Sequence, residues 1–171
     1  ETLSSALIYI DNYEDVRSNT SEDFRTLLVA EMDKMIINYF SSFGAIVRKY
    51  DSGKYIVILN NFILQKVKDD KFSIVDKLKE IKISGNIKPT LSVGVGIGGK
   101  NPFERYKESQ TALDMALGRG GAQVVFKNGE ELEFYGGKNS KGVERNKVKA
   151  RVISQALEKM IKESSSICNG T

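Results

Sequence analysis

The residue types that can perform chemistry in this sequence are restricted at the outset, because the chain contains no histidine. Histidine general bases, Ser-His-Asp and Cys-His catalysis and histidine metal ligands are therefore excluded. A single cysteine, Cys168, cannot form an intrachain disulfide and is typical of a reducing compartment. The remaining possibilities are carboxylates, lysines, hydroxyls, backbone amides or a metal ion with oxygen ligands.

Three acidic residues form the first candidate site. Asp11, Glu14 and Asp15 directly follow residues 6–10 (ALIYI), an apolar run of strand length. Loops that follow strands often carry ligand groups, and carboxylate oxygens suit Mg²⁺. The sequence thus predicts Asp11 as a magnesium ligand. The alternative is that the three acids are exposed and cap the next turn.

The second candidate site is a nucleotide-binding site, and two basic residues beside glycine-containing turns are added to Asp11 to form it. Lys54 follows the Asp51-Ser52-Gly53 turn, and Arg119 lies in a Gly-Arg-Gly-Gly stretch. Glycines in such turns let backbone amides approach a phosphate, and both cations can add charge there. In the alternative interpretation, Asp51 is a turn-former, Lys54 a solvated turn residue and Gly118 a helix C-cap. No catalytic residue is predicted.

The elements that must position these groups alternate between strand and helix. Strands are predicted at residues 6–10, 45–50, 54–59, 90–97, 124–126 and 131–134, and the last two flank Asn128-Gly129, a strong hairpin signal. Residues 90–97 alternate large apolar with small residues, which predicts one crowded and one open face. The order strand, helix, hairpin, helix, strand, helix, hairpin is typical of one α/β domain with a central sheet.

Three helices are predicted from apolar residues spaced three or four apart. A capping box at Thr20 and Asp23 begins the first helix, which ends near Gly44. Pro102 begins the third helix. The residues expected to face inward are Phe24, Leu27, Leu28, Met35, Ile36, Tyr39 and Phe40 in the first helix, Phe72, Val75, Leu78 and Ile81 in the second, and Tyr106, Ser109, Leu113, Ala116 and Leu117 in the third.

The last part of the chain differs in composition from the rest. We predict a domain at residues 1–136 and, at residues 137–171, a glycine-rich linker followed by an amphipathic helix. The apolar stripe of that helix is narrow and consists of Val148, Val152, Ala156 and Met160. No stretch approaches the ~20 apolar residues of a membrane span. The net charge is +4, but the basic residues are scattered among acidic ones and form no cluster in the sequence. Nucleic acid is therefore not a predicted partner.

Four landmarks in this order resemble the GGDEF family of diguanylate cyclase-like domains. Residues 8–16 (IYIDNYEDV) resemble the DxDxFK segment of that family, and residues 49–55 (KYDSGKY) lie where it has RYGGDEF. Residues 91–94 (LSVG) match its S-[IV]-G strand, and residues 112–116 (ALDMA) match its ALYxAK helix. The resemblance implies a nucleotidyl-cyclase-like α/β fold with a central, mainly antiparallel sheet flanked by helices.

The departures from the family pattern imply that cyclase chemistry is lost. Two-metal catalysis needs a pair of carboxylates that hold the ions against a triphosphate. By this resemblance, Tyr9 and Gly53 stand in place of the metal-binding carboxylates of the family. Arg17 stands in place of the residue that reads guanine, and Leu117 and Gly121 stand in place of the triphosphate-binding residues. Asp11 survives, and Lys54 stands where the family has glutamate.

Degenerate domains of this kind are found in the GdpP/YybT-type proteins, and residues 116–124 and 148–157 also resemble that subgroup. The resemblance implies a cytoplasmic domain of a membrane-anchored bacterial parent, with neighbouring PAS and DHH/DHHA1 domains that sense a signal and hydrolyse cyclic di-AMP. The expected function is regulatory coupling of sensor to hydrolase, with homodimerisation possible. The alternative is weak, Mg²⁺-dependent purine nucleotide binding and hydrolysis, an ATPase-like activity.

Overall fold

A single six-stranded sheet organises the computed structural model, which describes residues 2–82, 87–136 and 160–163. The strand order is β2-β3-β1-β4-β5-β6, and every neighbouring pair is antiparallel except β4 and β5. The strands are β1 (Leu3–Ile10), β2 (Ile46–Asp51), β3 (Lys54–Asn60), β4 (Leu91–Gly96), β5 (Gln123–Asn128) and β6 (Glu131–Gly136). The helices are α1 (Tyr13–Ser18), α2 (Glu22–Ser42), α3 (Asn61–Asp69), α4 (Ile74–Lys79) and α5 (Pro102–Gly118). The predicted α/β fold with a mainly antiparallel central sheet is confirmed.

The two faces of the sheet are covered by different helices. On one face, Ala6, Ile8 and Ile10 of β1 join the main core with residues of α2 and α4. On the other face, α5 lies so close to β4 that a Cβ on Gly96 would be 2.8 Å from the Ser109 amide nitrogen. The small-residue face predicted to be open is therefore closed by α5 itself.

The start of α2 differs from the predicted capping box. Ser21 is the N-cap residue and makes no side-chain cap hydrogen bond. The Thr20 hydroxyl donates instead to the Val16 carbonyl, at 2.7 Å, and is buried. The reason is the short helix α1, which was not predicted and whose C-terminal end Thr20 closes.

The predicted inward stripe of α2 is correct from Leu28 onward but not at its first two residues. Leu28, Ile36 and others are buried, whereas Phe24 and Leu27 are 56% and 65% exposed. The first turns of α2 border a groove of about 420 Å³ rather than the sheet. Periodicity identifies an apolar helix face, but it does not show how far the partner surface extends along the helix.

The second predicted helix corresponds to α4, which is preceded by a separate helix, α3, and begins only after Phe72. Lys71 and Phe72 adopt left-handed backbone conformations between them, with φ of 56° and 50°. Burial of the Phe72 ring, 5.4 Å from that of Phe126 in an edge-to-face arrangement, accompanies this unusual backbone. α3 was not predicted, although Asn60 caps it by accepting a hydrogen bond from the Ile63 amide.

The remaining predictions concern residues 102–171. Pro102 lies in the first turn of α5, and the hairpin of β5 and β6 turns at Asn128-Gly129 as predicted. The predicted C-terminal helix lies outside the described residues except at 160–163, which are helical. Among the helices that the structure describes, none is long and apolar enough to cross a membrane.

Candidate functional site

A cleft of about 500 Å³, here called the β1 cleft, opens where β1 ends. One wall is the connection from β1 into α1, and another is the turn between β2 and β3. The structure brings Asp11 and Lys54 together here, as their proposed shared role requires. The lining residues are Tyr9, Ile10, Asp11, Asn12, Tyr13, Glu14, Asp15, Asp51, Ser52, Lys54 and Leu117.

Asp11 anchors the turn that follows α5. Its Oδ2 atom accepts a hydrogen bond from the Ala122 amide at 2.9 Å, and a Cβ on Gly121 would come within 2.6 Å of that same oxygen. The Oδ1 atom is shielded from solvent and accepts no hydrogen bond from the described residues. One oxygen is thus engaged by backbone, and the other is inaccessible.

The protein groups around Asp11 do not fit a magnesium ion held by several carboxylates. Glu14 is exposed and paired with Arg17 at 3.2 Å, and Asp15 is exposed on α1. Across residues 2–82, 87–136 and 160–163, no three potential ligand side chains are grouped to hold a metal. Tyr9 and Gly53 add no ligand of the kind that Mg²⁺ prefers.

The β2–β3 turn is built for tightness rather than for metal binding. Gly53 has φ of +67°, and a Cβ there would be 2.8 Å from the Tyr13 ring. Asp51 accepts from the Ser52 amide at 2.8 Å, which confirms its turn-forming geometry. This hydrogen bond, followed by the Lys54 ammonium 3.2 Å away, lowers the pKa of the Asp51 carboxyl.

Tyr9 forms a wall of the β1 cleft. The Tyr50 hydroxyl donates to the Tyr9 hydroxyl at 3.0 Å, and the Lys54 Nζ atom lies 5.2 Å from the centre of the Tyr9 ring. Burial first, and then the hydrogen bond to Tyr9, raises the pKa of Tyr50. Tyr50 was not singled out as a site residue from the sequence.

Arg119 does not line the β1 cleft. Its guanidinium lies 4.1 Å from the centre of the Phe134 ring, over β6. α5 ends at Gly118, but the left-handed residues that close it are Gly120 and Gly121, with φ of +98° and +75°. The glycine-rich stretch is therefore a helix terminus, and the Arg119 side chain lies over Phe134 rather than in the β1 cleft.

The fold defines the structural class of the protein. The structure resembles the active GGEEF domain of a diguanylate cyclase from Vibrio cholerae, with a TM-score of 0.60 and 20% sequence identity over 72% of this chain and 81% of that one. This likeness shows a GGDEF-type fold and nothing about activity.

The family is defined by sequence. Residues 8–134 match the model of the GGDEF domain of cyclic-di-AMP phosphodiesterase GdpP-like proteins, and the chain belongs to this family. It is 37% identical over 164 residues to the cyclic-di-AMP phosphodiesterase GdpP of Bacillus subtilis (strain 168), covering 95% of this chain and 25% of that protein. It is 34% identical over 168 residues to GdpP of Geobacillus thermodenitrificans (strain NG80-2), covering 98% and 26%. The chain thus spans about a quarter of the length of these relatives.

Proposed function

We propose that this domain is a non-cyclising regulatory module of a cyclic-di-AMP phosphodiesterase, and that it couples an upstream sensor to a downstream hydrolase. The observation that supports it best is the β1 cleft, where Tyr9 and Gly53 occupy the positions of the metal carboxylates. The hydrolytic chemistry would belong to the part of the polypeptide that the relatives have beyond this domain. Residues 137–171 would carry the connection, with neighbouring PAS and DHH/DHHA1 domains as its partners.

Lengthening the linker in the full-length polypeptide tests this coupling. Insertion of a long Gly/Ser segment after Gly137 leaves both neighbouring domains able to fold but removes a fixed geometry between them. We expect the rate of cyclic di-AMP hydrolysis to change by about fivefold or more, the size of a typical coupling free energy. An insertion of equal length at the extreme C-terminus is the control. Equal rates in all three proteins would show that the domain is a passive spacer.

A second candidate function is weak purine nucleotide binding in the β1 cleft, with slow hydrolysis. The supporting observation is the position of Lys54, whose ammonium borders the cleft within reach of a phosphate. Any Mg²⁺ would have to arrive with the phosphates, since no three potential ligand side chains are grouped around Asp11 among the described residues.

Thermal melting with ATP, with and without Mg²⁺, tests this candidate, because a ligand that binds the folded state raises the melting temperature. We expect Lys54→Ala to reduce the rise. Asp11→Ala should lower the stability of the free domain by about 1–3 kcal/mol, because the Ala122 amide loses its partner, and yet retain the rise. Loss of the rise in a folded Asp11→Ala protein, with restoration by excess Mg²⁺, would instead identify Asp11 as a metal ligand.

A further inference from the structure

A second cleft, of about 580 Å³, lies on the other side of Tyr9 and is here called the tyrosine cleft. It is formed by the ends of β1 and β2 and by the outer flank of α5. Its lining residues are Leu7, Tyr9, Tyr50, Tyr106, Lys107, Gln110, Thr111, Leu113 and Asp114. Asp11, Lys54 and Arg119, the residues predicted to bind a nucleotide, are not among them. Its volume lies within the range of small-molecule sites.

Three aromatic rings line this cleft. Tyr9, Tyr50 and Tyr106 come from three different elements, and Tyr50 remains 52% exposed. Leu7 and Leu113 lie beneath the rings and are almost fully buried. A half-open group of rings favours a flat aromatic ligand that can stack on it.

The cleft carries both hydrogen-bond donors and a hydrogen-bond acceptor, as an anionic heteroaromatic ligand needs. Tyr106 accepts a hydrogen bond from the Gln110 amide at 3.1 Å, and Tyr9 accepts one from Tyr50, so each of these two phenols keeps its own proton to donate. Lys107 adds an ammonium, and Asp114 adds an exposed carboxylate on the same flank of α5.

We propose that the tyrosine cleft binds a purine nucleotide, independently of the regulatory coupling and of the β1 cleft. The base stacks on Tyr50 and Tyr106, and Asp114 accepts a hydrogen bond from an N–H group of the base. The phosphate is met by Lys107, whose Nζ atom lies 4.5 Å from the centre of the exposed Phe103 ring in the free domain. The rings, the carboxylate and the ammonium line one cleft, so that the base and the phosphate of one small ligand can both be met there.

Amide chemical shifts of the domain titrated with AMP test the site directly. We expect saturable shifts at Leu7, Tyr106 and Asp114. Tyr106→Ala should weaken binding about tenfold or more, because the loss of one stacked ring costs about 1–3 kcal/mol. Tyr106→Phe should stay within about twofold of the wild type, since it preserves the ring.

Further variants and ligands make the outcome decisive. Asp114→Asn should weaken binding severalfold, whereas Glu130→Gln, an exposed change in the β5–β6 turn, should leave it unaltered. Melting curves verify that each variant is folded. The proposal is overturned if ribose 5-phosphate produces the same shifts as AMP, if the shifts are confined to Asp11 and Lys54, or if none saturates by about 10 mM.

Discussion

Incubation of this domain with GTP and Mg²⁺ should yield no cyclic di-GMP. The reaction needs metal ions that activate a ribose hydroxyl and stabilise in-line displacement at phosphorus, a contribution of several kcal/mol. The resemblance to the GGDEF pattern implies that Tyr9 and Gly53 stand at the metal positions, and Leu117 and Gly121 at those of the triphosphate-binding residues. We expect a rate at least about a thousandfold below that of an active cyclase. Chromatography of a long incubation is the measurement.

Two controls make this negative result informative. The active Vibrio cholerae GGEEF domain, run in parallel, shows that the conditions support synthesis. A Tyr9→Asp, Gly53→Asp double variant should remain inactive, because residue 53 has a left-handed backbone and a Cβ there meets the Tyr13 ring. A cyclic di-GMP peak from the wild type that disappears in Asp11→Ala would contradict the expectation.

The fold was largely predictable because most of its strands and helices have their own periodicity. The sheet and α5 follow from apolar alternation and from the Pro102 and Asn128-Gly129 signals. Short elements were missed, as α1 and α3 show, because one or two turns provide too few repeats of the pattern. Thr20 was misassigned for that reason, since a cap at the end of one helix resembles a cap at the start of the next.

The candidate site was predictable only in part. Asp11 and Lys54 could be placed together, since both lie at strand ends that an antiparallel sheet brings to one edge. Arg119 could not be placed, because the direction of a side chain after a helix depends on which of several glycines adopts the left-handed conformation. The tyrosine cleft was not visible either, because its rings come from residues 9, 50 and 106, and only the tertiary fold brings them together.

Replacement of Gly96 by alanine should be among the most destabilising single changes available in this chain. The position faces α5, and a Cβ there would overlap the backbone carbonyl oxygen of Arg105 and lie 2.8 Å from the Ser109 amide nitrogen. Backbone atoms of a packed helix cannot rotate aside as a side chain can, so α5 must move off β4. We expect Gly96→Ala to cost about 3 kcal/mol, measured by urea unfolding.

The matched control is the same substitution at Gly118, the last residue of α5. A Cβ there has no heavy atom within 4 Å outside its own helix backbone, and its backbone is not left-handed. Alanine loses less conformational entropy than glycine on folding, so Gly118→Ala should be neutral or stabilising by up to about 1 kcal/mol. The contrast also separates two explanations of Gly96. If both variants unfold at the wild-type urea concentration, close packing of α5 on β4 is not what requires glycine at position 96.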